Sequence, residues 1–281
     1  NPGTSEMQLV AALDKQPQIR AVLCLFEGVV TGAADGYGRM TDKPALTLLH
    51  LGPGFANGIA NLHNAQRAHS PILNMVGDHA TDHLQHDAPL TSDIRGMATP
   101  VSQSFSVSPN AEALAQTGLQ ALSDSQSYPG SISTFVVPAD HAWTAIAPPI
   151  THLPGITTAR ASDETIAAVA EQLRGAQHSA LFLGGRALRA EALYQAGRIA
   201  AATGCRLVTE TFFARQARGI GRVVTERLAY FGEMAVEQLA GLDTLVLVGA
   251  KAPVSFFAYP DKPSVLTPAA AAQCTLTDAE H

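Results

Sequence analysis

The chain has 281 residues, 46% hydrophobic and 15% charged, with a net charge of −6. That length suggests two domains with well-filled cores under a lightly charged surface, and the modest negative charge argues against a nucleic-acid partner. No apolar run reaches the roughly 20 residues that span a bilayer, which argues against a membrane.

The chain opens on Asn1-Pro2-Gly3-Thr4, a turn sequence without an initiator Met or a signal peptide, and this reads as a start in mid-protein. The apolar run Ala21–Phe26 is predicted as a strand. It closes on Glu27, which opens an Ala/Gly-rich helix running to Arg39. A carboxylate there meets both burial and the helix dipole, two causes of an unusual proton affinity. Alone it reads first as an ordinary first-turn acid, worth a fraction of a kcal/mol. Further strands are predicted at Ala45–Leu49, Ile72–Val76 and Ile132–Val137. Between them Phe55, Ile59 and Leu62 recur at helical spacing. Ser108-Pro109 is read as the cap of a helix carrying Ala111, Ala115, Gly118 and Leu122, ending before Tyr128-Pro129-Gly130.

Residues 145–158 hold three prolines and a glycine without apolar periodicity, which reads as a linker. The expected domains are 1–147 and 159–281, joined by 148–158. In the second, Ser162 is expected to cap a helix carrying Ile166, Val169 and Leu173, with Gly175 just past its end. Ala180–Leu183 reads as a strand ending in Gly184-Gly185. A helix over Ala190–Ala202 stops at Gly204, and strands follow at Arg206–Val208 and Leu245–Val248. Pro268–His281 is expected to be poorly anchored. The three cysteines are far apart; Cys24 and Cys205 read as buried small hydrophobes in a reducing, cytoplasmic setting.

The fold class is therefore α/β, with two doubly wound parallel-sheet domains. Ligands in such folds bind outside the carboxyl ends of the strands. That rule gathers Glu27, His50-Leu51-Gly52-Pro53-Gly54 and Gly77-Asp78-His79. The glycine-proline segment is a plain turn or a ligand loop; its residues alone do not decide. His63, His69, His79, His83 and His86 cluster in sequence, but only His79 and His83 have helical ligand spacing, in a polar loop, and no metal site is assigned. Gly184-Gly185-Arg186 lacks the spacing of a dinucleotide fingerprint, and Glu210 is the nearest acid, at no clear strand end.

In order and spacing, the first domain resembles the pyrimidine-binding domain of thiamine diphosphate-dependent 2-oxo acid enzymes, acetolactate synthase and benzoylformate decarboxylase among them. The matching residues are Asn1-Pro2-Gly3-Thr4-Ser5-Glu6, Glu27 through Arg39, His50-Leu51-Gly52-Pro53-Gly54-Phe55-Ala56-Asn57-Gly58, His69-Ser70-Pro71-Ile72 and Val136-Val137-Pro138-Ala139-Asp140. The second domain is similar, in less detail, to the family's central domain. The resemblance implies thiamine diphosphate as cofactor, a 2-oxo acid as substrate and a homodimer or homotetramer. It implies that Glu27 hydrogen-bonds N1′ of the aminopyrimidine, that Gly52, Pro53 and Asn57 help to hold the cofactor, and that His50 transfers protons. It places Thr4, Asp78 and His79 on the substrate side. Asp78 departs from the glutamine common in the family and would repel a substrate carboxylate unless protonated or paired, with His79 as a compensating group. Flanking Phe26, Val29 and Val30 would desolvate Glu27 and raise its pKa.

The family anchors the diphosphate through Mg²⁺ on a third domain with a Gly-Asp-Gly motif, and no Gly-Asp-Gly occurs here. The expectation is a chain lacking that domain, supplying half a site and inactive alone. FAD, held by the central domain in acetolactate synthases, is disfavoured by the broken glycine pattern. Decarboxylation and carboligation both stay open. The rival readings are a non-catalytic homologue with an interaction or regulatory role, and a flavin- or nucleotide-binding protein.

Overall fold

The computed structural model describes residues 1–152, 154–155 and 160–278. The chain divides into two compact units, Asn1–Thr158 and Ala159–His281. The first contains α1 (Met7–Asp14), α2 (Glu27–Thr41), β1 (Ala45–His50), α3 (Leu51–Arg67), β2 (Ile72–Asp78), α4 (Ile94–Ala98), β3 (Ser104–Val107), α5 (Leu114–Gln126), β4 (Ile132–Pro138) and α6 (Ala139–Trp143). The second contains α7 (Asp163–Gly175), β5 (Ser179–Leu183), α8 (Ala190–Thr203), β6 (Arg206–Thr209), β7 (Glu226–Arg227), α9 (Gly232–Leu239), β8 (Thr244–Val248) and β9 (Ala272–Thr277).

The first sheet is parallel, in the order β1-β2-β4-β3. Its inner strands β2 and β4 are buried along nearly their whole length, which is why they read as continuous apolar runs. One core joins Leu49, Ile72, Val76, Ile132 and Val136 to Phe55 and Leu62 of α3. A second joins Leu73, Phe135 and Val137 to Ala121 of α5. Within the sheet, buried Asn74 accepts from Thr47 Oγ1 at 2.9 Å and donates to Thr134 Oγ1 at 3.3 Å. The three residues are register partners, so one polar row ties β1, β2 and β4 together. Any slip of β2 would leave these buried groups unpaired.

The second sheet is also parallel, in the order β7-β6-β5-β8-β9. Phe182, Val208, Leu245 and Leu247 pack against Ala235 and Leu239 of α9. Leu181, Leu183, Leu207 and Val246 pack with Val169 and Leu173 of α7 and Leu193 of α8. The Ser162 hydroxyl caps α7 by accepting from the Thr165 amide at 3.1 Å, and Gly204 ends α8 at φ 76°. Both units thus have helices on both sheet faces. Among the described residues no helix is long and apolar enough to cross a membrane.

Four expectations need correction. Ala21–Phe26 is not a strand; it pairs with nothing among the described residues, and Val22, Leu23 and Leu25 are exposed. An apolar run reports surface that must be covered, not a ladder partner. The Ser108 hydroxyl bonds the Asn110 carbonyl instead of capping α5, which starts at Leu114. Gly175 is the last residue of α7 rather than the residue past its end. Part of Pro268–His281 is anchored, because Ala272–Thr277 forms β9 along β8; residues 279–281 lie outside the described residues. Within the expected linker, positions 153 and 156–158 also lie outside them, while His152 exchanges two hydrogen bonds with the Gln116 side chain, each 3.0 Å.

Candidate functional site

His50 is both the last residue of β1 and the N-cap of α3. The chain turns between them through Leu51, held at φ 49°. A left-handed leucine costs about 1–3 kcal/mol, and such strain is typical of positions that present a side chain. Gly52, Pro53 and Gly54 are therefore the first turn of α3, not a separate loop. Proline is favoured there because its missing N–H has no helical partner anyway. Gly52 is buried, and a β-carbon on it would overlap Ser92. Its bareness lets the Ser92 side chain pack against the turn.

Glu27 stands in the first turn of α2, where its carboxylate meets the positive end of the helix dipole. Two contacts lock α2 to α3: Asn61 Nδ2 donates to the Gly28 carbonyl at 2.6 Å, and Thr31 Oγ1 to the Gly58 carbonyl at 3.0 Å. Glu27 Oε2 accepts from Asn57 Nδ2 at 3.1 Å. Glu27 Oε1 has no hydrogen-bond partner among the described residues. A β-carbon on Gly54 would lie 3.6 Å from Glu27 Oε1 and 3.3 Å from His50 Cβ, so bare backbone separates the two. The expected desolvation of Glu27 is corrected. Glu27 is half-buried, with Phe26 51% and Val29 55% exposed, because these apolar neighbours point away from the unit's own core.

His50 and Gly77 are register partners at the carboxyl ends of β1 and β2. Between them lies Glu6, fully buried, its Oε2 accepting from the Gly3 amide at 2.7 Å and meeting His50 Nδ1 at 2.8 Å. Ser5 Oγ lies 3.4 Å from the same nitrogen, and Thr4 is exposed beside it. Asp78, next after Gly77, has its pKa raised, first by burial and also by the charge of Glu6; the His79 amide, donating to Oδ1 at 2.8 Å, and the His79 ring oppose this. His79 Nε2 is buried without a hydrogen-bond partner among the described residues. Glu27, His50, Gly54, Asn57 and Asp78 thus share one end of the first sheet. The contact that the sequence reading missed is that of Glu6 with His50. Its signal was the Gly3-Thr4-Ser5-Glu6 spacing, a glycine amide three residues before a glutamate that turns back to it.

In the second unit Glu210 does follow a strand directly, at the carboxyl end of β6, which corrects its reading as an acid at no clear strand end. Burial pushes its pKa up to about 7. A β-carbon on Gly184 would lie 2.6 Å from Glu210 Oε2 and 2.6 Å from the Gly249 carbonyl. These glycines therefore allow the ends of β5, β6 and β8 to close on the carboxyl. A cavity of about 270 Å³ lies at the opposite, amino ends of these strands, lined by His178, Ser179, Gly204, Arg206 and Gly241. Among the described residues no group of three or more His, Cys, Asp or Glu could hold a metal. Cys205 is buried, its thiol pushed up by burial, but Cys24 is only half-buried because its segment lies on the surface.

Residues 1–99 match the family profile "Thiamine pyrophosphate enzyme, N-terminal TPP binding domain". The chain is 49% identical over 271 residues to IlvX of Mycobacterium tuberculosis H37Rv, provisionally named an acetolactate synthase large subunit, covering 96% of this chain and 52% of that protein. It is 34% identical over 92 residues to the benzoylformate decarboxylase of Pseudomonas aeruginosa, covering 33% of this chain and 17% of that one. Among solved structures, a provisionally assigned thiamin diphosphate-dependent enzyme from Mycobacterium smegmatis superposes with a TM-score of 0.85 at 25% identity, over 98% of this chain and 53% of that one. The chain thus spans about half the length of the two proteins that it matches almost throughout.

Proposed function

We propose, from the premise that the chain belongs to the thiamine pyrophosphate-dependent 2-oxo acid enzymes as their N-terminal part, that it supplies the pyrimidine side of a thiamine diphosphate site. Residues 1–147 are assigned as the pyrimidine-binding domain and 159–281 as the central domain. The carrying observation is Glu27, with one oxygen tethered to Asn57, the other without a partner among the described residues, and bare Gly54 between it and His50. That arrangement fits a flat heteroaromatic ring with a nitrogen at the carboxyl.

When bound, thiamine diphosphate supplies an acidic C2 and the electron sink that lets carbon dioxide leave a 2-oxo acid. Glu27 would hold the ring nitrogen N1′ through a hydrogen bond, with Asn57 keeping its carboxyl in place. His50 moves a proton beside the reacting carbon. Thr4, Asp78 and His79 face the substrate. The raised pKa of Asp78, from burial first, favours its neutral form. Gly52 and Pro53 shape the first turn of α3 beneath these groups. The contacts to Mg²⁺ and the diphosphate are assigned to protein outside these 281 residues. A second copy of the chain is assigned to cover Val22, Leu23, Leu25, Phe26 and Val29, an exposed apolar run beside Glu27.

The test is an assay of the longest product of the reading frame containing this sequence, supplied with thiamine diphosphate and Mg²⁺. Carbon dioxide release from pyruvate or benzoylformate, lost in Glu27→Gln, is expected. Acetolactate among the pyruvate products would select carboligation. No turnover of either substrate and no effect of the cofactor on the protein would overturn the reading in favour of an interaction role.

A further inference from the structure

Glu6 has no part in the chemistry assigned above. Among the described residues it is nevertheless the only Asp, Glu, Lys or Arg that is buried, at 0% exposure. A carboxyl in that position costs several kcal/mol in desolvation unless its oxygens find donors. Oε2 has two candidate donors, the Gly3 amide at 2.7 Å and His50 Nδ1 at 2.8 Å, while buried Oε1 has no partner among the described residues. Two glycines make room for the pair. A β-carbon on Gly3 would overlap the His50 ring, and one on Gly77 would overlap Glu6 Oε1. The carboxyl is thus enclosed by backbone on one side and by the imidazole on the other.

The proton arrangement follows from the donors. A backbone N–H can only donate, so Oε2 is an accepting oxygen. If Glu6 is ionised, Nδ1 must carry a proton to complete the contact. A protonated Glu6 could hold its proton on Oε2, which would still accept from the Gly3 amide but donate to Nδ1, so the Nδ1–H arrangement is that of the ionised carboxylate. A neutral imidazole donates from one nitrogen and accepts at the other, and the hydrogen bond at one nitrogen decides which. No hydrogen bond among the described residues involves His50 Nε2.

We infer that Glu6 is the positioning carboxyl of His50: it accepts from Nδ1–H, fixes the ring's orientation and tautomer, and leaves the Nε2 lone pair as the site through which His50 exchanges protons. The use of that lone pair rests on the proposed role of His50; the tautomer does not.

The experiment is long-range ¹H–¹⁵N correlation spectroscopy of the histidine-labelled chain without cofactor, at about pH 9, where an ordinary imidazole is neutral. The His50 signals are identified by their loss in His50→Gln. In the wild type His50 is expected with its proton on Nδ1. Glu6→Ala is expected to lose most of that form, giving the Nε2–H form that a free imidazole prefers. Glu6→Gln, whose amide oxygen can take the place of Oε2, is expected to retain it, a rescue that a merely space-filling role would not produce. A wild-type His50 protonated on Nε2 overturns the inference, and needs no variant to fold. So does a folded Glu6→Ala chain, judged by unchanged signals from the other histidines, with the His50 tautomer unaltered. With no cofactor in the sample, failure here leaves the assignment of Glu27 untouched, and failure of that assignment leaves this result standing.

Discussion

Asn57 Nδ2 donates to Glu27 Oε2 at 3.1 Å, tying the second turn of α3 to the first turn of α2. Asn57 is exposed, so the bond adds little to stability. In the proposed function its use is to hold one rotamer of the Glu27 carboxyl. Asn57→Ala is expected to change the urea midpoint by less than about 0.5 kcal/mol equivalent. In the complete enzyme it is expected to slow cofactor activation by roughly tenfold, the effect of about 1.4 kcal/mol of lost positioning. Unchanged activation would separate Asn57 from the site.

Gly77 and Gly54 predict opposite outcomes for the same added methyl. Gly77 lies in β2, an inner strand, and its β-carbon would overlap the enclosed carboxyl of Glu6. Neither group has room to move, so Gly77→Ala is expected to destabilise the first unit by about 2–3 kcal/mol. Gly54→Ala meets its neighbours at 3.3 and 3.6 Å, close to ordinary contact. It is expected to cost less than about 1 kcal/mol but to fill the gap between Glu27 and His50 and weaken cofactor binding. Urea unfolding and cofactor titration of the two variants check both halves.

Glu210 predicts a pH dependence in the second unit. Its folded pKa is raised from 4.5 to about 7 by burial, so the folded chain holds this proton more tightly than the unfolded one. Its stabilising contribution is full below pH 4.5 and is lost as the pH rises to about 7. The loss is on the order of 3 kcal/mol, after which the profile is flat. Glu210→Gln should remove this fall and leave the second unit more stable than wild type above neutrality. Urea unfolding from pH 5 to about 8, with a wild-type profile no steeper than the variant's, would contradict the account.

The inner strands were legible because burial on both faces leaves a run of apolar residues, as in Ile132–Pro138. The strands that escaped, β3, β7 and β9, all lie at sheet edges. An edge strand is half exposed, so Ser104–Val107 and Ala272–Thr277 carry polar residues that resemble loop. Ala21–Phe26 misled in the opposite direction, apolar without being paired. At the candidate site, Glu27, His50 and Asp78 were legible as residues at element junctions. The contact of Glu6 with His50 spans 44 positions and depends on the Gly3 turn and on β1 meeting β2, which no local pattern reports. The tether from Asn57 to Glu27 was likewise hidden, because it follows from the packing of α2 on α3.

The most direct test of the central claim is the rate of hydrogen–deuterium exchange at C2 of thiamine diphosphate bound to the complete enzyme, wild type against Glu27→Gln. The account predicts fast exchange in the wild type and a fall of roughly 10²–10⁴-fold in the variant, with cofactor still bound. Equal exchange rates in the two proteins, at equal cofactor occupancy, would contradict it.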